Sequence, residues 1–427
     1  MPNRNTPPLV SIVGQLPSLV PELTKLPNQV PVYFLNGGSE GIIKIDLLFL
    51  AGSFNQSKPL VAYTMANMLN AGTSDKTSRQ IAEQFEFYGT SLQIDTQKDI
   101  IIVSVTVLKK HLEPVLDLLG GVMNDPVFPE EEVNIFARNK KSQHLVSTRR
   151  IEYLARTHFN EKLFGSGHPY GYRLRSNDFD KVQAADLKEF YRSWIHPGNL
   201  KIIVSGNPPP EMEKLLERHY GDNKQVQKVL EPEKKEFQIN NLKSQRFFIN
   251  HKVSLQSAIR IGKRTISRKH PDFHRLVITN ALLGGYFGSR LMRNIRQDKG
   301  FTYGIQSALV SLVRDGYFFV ATQVGADVWK NALEQIYLEL YNLGIKPTTA
   351  DELDNLKNYL AGQYIRLFDG PFAMAERLRE LLVFDLSHEH YTNFLTELKS
   401  ITPGIIMETA RKYLNENSMT EVVVGKR

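Results

Sequence analysis

Residues 200–206 read Leu200-Lys201-Ile202-Ile203-Val204-Ser205-Gly206, a short apolar run that a glycine ends. A similar run, Glu421-Val422-Val423-Val424-Gly425, closes the chain. Each run follows a segment with helical periodicity, at 183–191 and at 405–414, so each predicts a buried strand that follows a helix. The two glycines lie 219 positions apart. This spacing predicts that the chain consists of two homologous halves.

Further segments recur in both halves. Acidic and hydroxyl residues open a long helix at 129–132 and again at 348–352, where exposed backbone N–H groups favour them. Alternating apolar residues predict strands at 42–50, 100–107 and 317–324. The pattern predicts an α+β fold of two tandem domains, each a mixed, largely antiparallel sheet covered by helices. We place these domains at 1–225 and 243–427, joined by a polar linker at 226–242 that contains a proline.

The composition excludes several classes of protein. Of the 427 residues, 41% are hydrophobic and 23% are charged, as in globular proteins, and no cysteine is present for thiol, iron–sulfur or zinc–cysteine chemistry. The net charge of +8 is spread along the chain, so we expect no nucleic-acid binding. No apolar run has the roughly 18 residues that a membrane span needs, and no secretory signal is visible. We expect a soluble protein without a membrane partner and leave cytoplasm and periplasm open.

The eleven histidines form no recognisable zinc motif. His270 and His274 have helical spacing, but Pro271 between them is typical of an ordinary helix start. Neither His-x-x-Glu-His nor His-Glu-x-x-His occurs, and serine-nucleophile and phosphate-loop motifs are also missing. The residues alone therefore indicate no catalytic metal in this chain.

The segment 291–304 is the strongest candidate for chemistry. We expect a helix that ends near Lys299, with Gly300 as a left-handed cap, followed directly by a strand that carries Tyr303. Arg296 and Tyr303 would then project together, and a guanidinium and a phenol both suit a peptide carbonyl or a developing oxyanion. The residues alone leave a second interpretation open, in which Arg296 forms a structural ion pair and Tyr303 packs in the sheet.

Several motifs together resemble the insulinase-like (pitrilysin) zinc metallopeptidase family. They are Leu283-Gly284-Gly285, Ser289-Arg290-Leu291, the run from Arg296 to Tyr303, His168-Pro169-Tyr170-Gly171 and His196-Pro197-Gly198-Asn199. With the repeat they cover nearly the whole chain. The length resembles the two-domain chains of the family, such as the mitochondrial processing peptidase and its bacterial relatives. The resemblance implies that the two domains form a clam-like half-chamber.

The resemblance also places the family's zinc site and shows that its ligands are replaced. Members carry His-x-x-Glu-His on a helix before a Gly-Thr pair, and alignment on 72–73 puts Tyr63, Ala66 and Asn67 at these three positions. The glutamate that is the family's third ligand falls on Gln143. A phenol and amides are poor zinc ligands, and alanine cannot act as the base. We therefore expect no cofactor in this chain and a zinc ion in a partner subunit.

Arg296 and Tyr303 match the family's arginine–tyrosine pair, which holds the substrate backbone and stabilises the tetrahedral intermediate. Gly284, Gly285 and Gly288 are weaker candidates for contact with the peptide, and a structural turn explains them equally well. The resemblance implies the non-zinc subunit of a heterodimeric zinc metallopeptidase that degrades or processes unfolded peptides, with a homologous zinc-binding subunit as partner. Three alternatives stay open: a catalytically inactive scaffold or assembly protein, a peptide-binding homodimer, and a metal site built from unusual ligands.

Overall fold

We describe the protein from a computed structural model, in which residues 19–38, 40–222 and 244–427 are described. The predicted linker at 226–242 lies outside these residues. Of the helices described, none combines the length and the apolar character that crossing a bilayer requires.

The first half of the chain forms a mixed sheet of six strands. The strands are β1 (Glu22–Lys25), β2 (Pro31–Asn36), β3 (Ile42–Phe49), β4 (Gln93–Thr96), β5 (Ile101–Leu108) and β6 (Leu200–Gly206). Their order is β1-β2-β6-β3-β5-β4, and only the β2–β6 pair is parallel. The strand predicted at 42–50 lies in the middle of the sheet, between β6 and β5, which explains its nearly continuous apolar sequence.

Seven α-helices belong to the described part of this half. They are α1 (Val61–Asn67), α2 (Ser78–Phe87), α3 (Leu112–Asn124), α4 (Glu130–Ser147), α5 (Ile151–Phe164), α6 (Ala184–Trp194) and α7 (Met212–Tyr220). Ile43, Ile45 and Leu47 alternate along one face of β3 and are fully buried with Met65 of α1 and Leu116 of α3. This shared core fixes α1, and therefore its Tyr63 and Asn67, against the sheet.

The second half repeats the strand arrangement. Its strands are β7 (Gln245–Asn250), β8 (Gln256–Arg264), β9 (Ile305–Leu312), β10 (Asp315–Gly325) and β11 (Thr420–Gly425). The order β7-β11-β8-β10-β9 repeats the order β2-β6-β3-β5-β4 of the first sheet, again with a single parallel pair, β7–β11. The predicted duplication and the predicted mixed, largely antiparallel sheets are confirmed.

The helices of the second half are α8 (Phe273–Asn280), α9 (Trp329–Ile345), α10 (Ala350–Arg366), α11 (Gly370–Phe384), α12 (His390–Ser400) and α13 (Pro403–Tyr413). Two π-helical segments, Ala281–Gly285 and Met292–Asp298, lie between α8 and β9. Such widened turns are rare and occur often at functional sites. Gly284 and Gly285 lie in the first of these segments, and Gly288 lies between the two.

One helix departs from a simple division into halves. Residues 370–383 of α11 form one compact unit with 20–222, whereas 244–369 and 384–427 form the other. The ammonium group of Lys201 on β6 donates to the carbonyl of Leu382 at 3.3 Å. The ring of Pro371 lies 3.7 Å from the point that a Cβ on Gly37 would occupy. The apolar periodicity of a helix predicts that one face is buried, but it does not specify which sheet buries it.

Candidate functional site

The π-helical segment Met292–Asp298 carries Arg296 and is held firmly to α9. The side-chain amide of Asn294 donates to Oε1 of Gln335 at 3.2 Å and to Oε1 of Glu339 at 2.7 Å. Ile295 is fully buried in the core of the second sheet. The side chains of Asn294 and Ile295 thereby anchor the segment that carries Arg296.

The guanidinium of Arg296 rests on an aromatic ring. Its central carbon lies 4.8 Å from the ring centroid of Phe287, a side chain that is 62% exposed. Such a cation–π contact holds the plane of the guanidinium while its N–H donors stay available. Among the described residues no carboxylate is within ion-pair distance of Arg296. The alternative of a structural ion pair for Arg296 thus has no acidic partner in this part of the chain.

The turn after this segment follows the sequence prediction in part. Gly300 has φ +65°, the left-handed conformation predicted for a helix cap. The prediction that Tyr303 lies on a strand is wrong, because β9 begins at Ile305. The hydroxyl of Thr302 donates to the carbonyl of Gln323 at 2.7 Å and accepts from the N–H of Gly304 at 3.0 Å. A threonine side chain thus replaces the strand hydrogen bonds at this point.

Tyr303 combines a fixed backbone with an exposed side chain. Next to it, the hydroxyl of Thr322 on β10 donates to the carbonyl of Gly304 at 2.9 Å. The side chain of Tyr303 itself is 94% exposed, and no described residue hydrogen-bonds its hydroxyl. The alternative in which Tyr303 packs in the sheet is therefore wrong. A phenol in this setting can donate to an incoming group without first breaking a bond within the protein.

Arg296 and Tyr303 are seven residues apart, on either side of a turn that the N–H of Phe301 closes by donating to the carbonyl of Ile295 at 3.0 Å. In the described residues no hydrogen bond or ring contact joins the two side chains directly. The turn presents two independent sets of donors, a planar guanidinium and a hydroxyl. Neither donor is engaged by a carboxylate, so both suit a carbonyl oxygen or an oxyanion.

Gly284, Gly285 and Gly288, which precede this turn in the sequence, have different surroundings. A Cβ on Gly284 would lie 2.7 Å from the backbone nitrogen of Ser307, so this buried glycine allows close packing on β9. A Cβ on Gly288 would approach the ring of Tyr286 to 2.7 Å, whereas the nearest atom to one on exposed Gly285 is 3.3 Å away. Close packing is sufficient reason for glycine at 284. Contact of the three glycines with a peptide stays a prediction.

A buried ion pair anchors the segment that follows these glycines. The guanidinium of Arg290 binds both carboxylate oxygens of Glu352, at 2.8 and 2.9 Å, and the two side chains are 12% and 9% exposed. Glu352 lies in the first turn of α10, where its N–H also bonds the hydroxyl of Thr349. Two parallel charge-assisted bonds define direction as well as distance. They connect the segment around Arg290 to α10.

The positions that the resemblance aligns with the family's zinc ligands lie on α1 and α4. The ring of Tyr63 packs on Phe136 of α4, with 6.0 Å between centroids, and the ammonium of Lys140 lies 5.6 Å from the centroid of Tyr63. The amide of Asn67 donates to the carbonyl of Tyr63 at 2.8 Å. Ala66 is fully buried. An aromatic–cation stack thus occupies this face.

These residues do not fit a zinc ion. Gln143 shares a face of α4 with Phe136 and Lys140, but it is exposed and neutral. The charge of Lys140 would repel a divalent cation, and none of Tyr63, Ala66 and Asn67 offers an imidazole or a carboxylate. Within 19–38, 40–222 and 244–427, no group of three or more histidine, aspartate or glutamate side chains is arranged to hold a metal.

Sequence reasoning did not identify three residues that support the candidate site: Phe287, Asn294 and Thr302. An exposed aromatic inside a glycine-rich turn is a usable signal, because such side chains are rarely needed for turn geometry. The role of Thr302 depends on β10, which is distant in sequence, and that of Asn294 depends on α9. Nothing local in the sequence indicates these two contacts.

Comparison with known families gives two adjoining matches. Residues 39–166 match a family described as Insulinase (Peptidase family M16), and residues 181–360 match one described as Peptidase M16 inactive domain. Together the two matches cover most of the chain, and the second contains Arg296 and Tyr303.

Curated relatives and solved structures are similar over most of their length. An uncharacterized zinc protease YmxG of Bacillus subtilis is 23% identical over 402 residues, which are 91% of this chain and 95% of the relative. A non-peptidase homolog YmxG of Helicobacter pylori is 23% identical over 317 residues, 73% of this chain and 72% of that protein. A crystal structure of a peptidase M16 inactive domain from Pseudomonas fluorescens has a TM-score of 0.84 at 23% identity, covering 95% of this chain and 98% of its own.

Proposed function

This chain belongs to the insulinase family of peptidases, family M16, as a homologue of its inactive-domain type, and we propose that it is the non-zinc subunit of a heterodimeric zinc metallopeptidase. One observation carries the proposal: the chain keeps two hydrogen-bond donors, Arg296 and Tyr303, although the positions aligned with the zinc ligands hold residues that do not suit zinc. The exposed Tyr303 and the half-buried Arg296 have no carboxylate or hydroxyl partner among the described residues, while Tyr63, Ala66 and Asn67 offer zinc neither an imidazole nor a carboxylate.

In the proposed reaction a homologous partner subunit would hold a zinc ion, which would supply a Lewis acid for the peptide carbonyl and for water. This chain binds the peptide. Arg296 donates to a backbone carbonyl of the substrate, and its guanidinium is already oriented by Phe287. Tyr303 donates its phenolic proton as a hydrogen bond to the oxygen on which negative charge develops. Since Thr302 and Thr322 fix the backbone around Tyr303, little reorganisation is needed when that charge appears.

The test is reconstitution with a zinc-site homologue purified from the same cell. The Tyr303→Phe variant removes one hydroxyl and nothing else, and we expect kcat on an unfolded peptide to fall about a hundred- to a thousandfold. Tyr341→Phe is the matched control, because Tyr341 is also exposed, at 58%, but lies on α9 away from the turn. Size-exclusion chromatography shows whether both variants still assemble. Full activity of an assembled Tyr303→Phe pair would exclude the catalytic role.

A second experiment tests the division of labour between subunits. We expect the purified chain alone to contain no stoichiometric zinc by elemental analysis and to cleave no peptide. Peptide hydrolysis by the lone chain that a chelator abolishes would show that it carries its own metal site, and the proposed heterodimer would then be wrong.

The name of the Helicobacter pylori relative, a non-peptidase homolog, favours a second candidate function. In this alternative the chain is a catalytically inactive scaffold or peptide-binding protein. The scaffold does not require Arg296 and Tyr303, so Arg296→Ala and Tyr303→Phe would leave its assembly unchanged. Sedimentation of the chain alone and with the zinc-site homologue separates a self-associating protein from one that requires a partner.

A further inference from the structure

The most exposed large apolar side chains of the described residues are concentrated in one place. Tyr303 is 94% exposed, Leu255 is 89% exposed and Val253 is 84% exposed, more than any other large apolar residue in this part of the chain. Val253 and Leu255 lie in the β7–β8 loop, which connects two strands that have β11 between them in the sheet, and Tyr303 lies just before β9. All three lie in loops that lead into strands of the second sheet.

The register of the strands places these residues at the same end of that sheet. Gln256, the first residue of β8, pairs with Gly325 at the end of β10, and Ile305, the first residue of β9, pairs with Thr322. The carbonyl of Leu255 continues this register by accepting from the N–H of Ala326 at 3.1 Å. Since β10 separates β8 from β9, the β7–β8 loop and the Tyr303 loop are two strand spacings apart, about 10 Å.

Hydrogen bonds fix the β7–β8 loop as well as they fix the Tyr303 loop. The N–H of Ser254 donates to the carbonyl of His251 at 3.1 Å, and its hydroxyl donates to the carbonyl of Gln256 at 2.7 Å. The side chain of Gln256 accepts from the amide of Gln323 at 2.6 Å, and the carbonyl of Gln323 accepts from Thr302. A continuous row of hydrogen bonds therefore connects the two loops.

An isolated exposed leucine or valine is ordinary and needs no explanation. Here two such side chains stand on a fixed backbone beside an equally exposed tyrosine that we assign to the substrate. Extending the strand register puts Leu255 about two residues further along β10 than Tyr303, so the two Cα atoms are about 12 Å apart. An extended peptide advances about 3.3 Å per residue and covers this distance in three to four residues.

We propose that Val253 and Leu255 form an apolar subsite that binds a bulky hydrophobic side chain of the peptide, three to four residues from the carbonyl that Tyr303 contacts. The inference rests on the proposed function and makes it more specific. Unfolded peptides present such side chains, which folded proteins bury. A fixed apolar surface next to the hydrogen-bond donors therefore selects unfolded chains with a hydrophobic residue at a defined distance from the cleavage point.

The test compares two peptides that differ only in a leucine or a serine, placed three and then four residues from the scissile bond on either side. For the reconstituted pair we expect kcat/KM to favour the leucine peptide by about tenfold or more at one of these positions. Val253→Ala combined with Leu255→Ala should abolish this preference. Leu145→Ala is the control, since Leu145 is an exposed leucine, at 48%, on α4.

The Tyr303→Phe variant separates the two proposals. If it loses activity on both peptides equally while the double alanine variant keeps the leucine preference, the subsite is wrong and the proposed function stands. If Tyr303→Phe is fully active, the proposed function fails. Fluorescence anisotropy of the labelled peptides with this chain alone gives a readout without catalysis, and equal Kd values of wild type and double alanine variant for the leucine peptide would also overturn the subsite. A double variant that no longer assembles with the partner would mean that the β7–β8 loop is a subunit interface instead.

Discussion

Breaking the ion pair between Arg290 and Glu352 should cost far more stability than breaking a salt bridge on the surface. Both side chains are nearly buried, and both N–H···O bonds are short and parallel. Removing one partner of a buried pair leaves an uncompensated charge, which typically costs about 3–5 kcal/mol. Glu352→Gln keeps one acceptor for the guanidinium, so we expect a loss near the lower limit, about 3 kcal/mol.

The chain contains a natural reporter for this measurement. Of its two tryptophans, Trp194 belongs to the first compact unit and Trp329 to the second, which also contains Arg290. In a Trp194→Phe background, fluorescence during urea unfolding therefore reports on the second unit. With an m-value of roughly 2 kcal/mol/M, a loss of about 3 kcal/mol lowers the midpoint by about 1.5 M.

Two control variants make the result interpretable. Arg79 and Glu83 form an exposed pair on α2, and Glu83→Gln should change stability by less than about 0.5 kcal/mol. Replacing both partners, Arg290→Met with Glu352→Leu, removes both charges together and should recover most of the loss. If Glu352→Gln shifts the midpoint no more than a surface substitution does, the Arg290–Glu352 pair contributes little to stability, and the reasoning about buried charge is refuted.

Three further predictions concern stability. Gly300→Ala should destabilise by about 1 kcal/mol because of the positive φ at this position. Gly121→Ala, at an exposed position of α3 where a Cβ meets nothing within 4 Å, should be neutral or stabilising. Equal effects of the two variants in thermal unfolding would contradict the role of Gly300 as a helix cap. Gly284→Ala should cost about 1–3 kcal/mol by overpacking against Ser307, and Gly285→Ala much less; the same urea assay distinguishes them. Burial, with His274 and Arg268 nearby, lowers the pKa of His390 to about 3, so the folded state keeps this imidazole neutral while the unfolded chain protonates it below about pH 6.5. The unfolding free energy should therefore fall as the pH drops from about 6.5 towards 3, by at most about 1.4 kcal/mol per pH unit from this group, and His390→Phe should flatten the slope in urea titrations at several pH values.

The sequence predicts the fold well wherever the pattern is local. The central strand β3 is identified by its apolar run, and the two halves are identified by the glycines that end β6 and β11. The left-handed Gly300 is predicted because a glycine after a helical period is the usual cap. In each case the signal lies within a few residues of the feature that it predicts.

The sequence predictions are wrong or incomplete where residues far away in the sequence determine the local structure. The pattern around Tyr303 is that of a strand, yet Thr302 bonds β10 and delays the start of β9 to Ile305. Pairing of His274 with His390, whose ring centroids are 4.5 Å apart, joins α8 to α12 across more than a hundred residues. Spacing along the chain shows neither of these.

The helix α11 makes the polypeptide cross from one compact unit to the other more than once. Most two-domain proteins fall apart into modules when a protease cuts their connector. Here a cut anywhere in 226–242 would leave the downstream fragment still contributing residues 370–383 to the unit that contains β6. The nicked protein should stay together in gel filtration, and neither fragment should reach its native structure without the other. We therefore expect each unit to depend on the other for its folding, although their strands keep the same order.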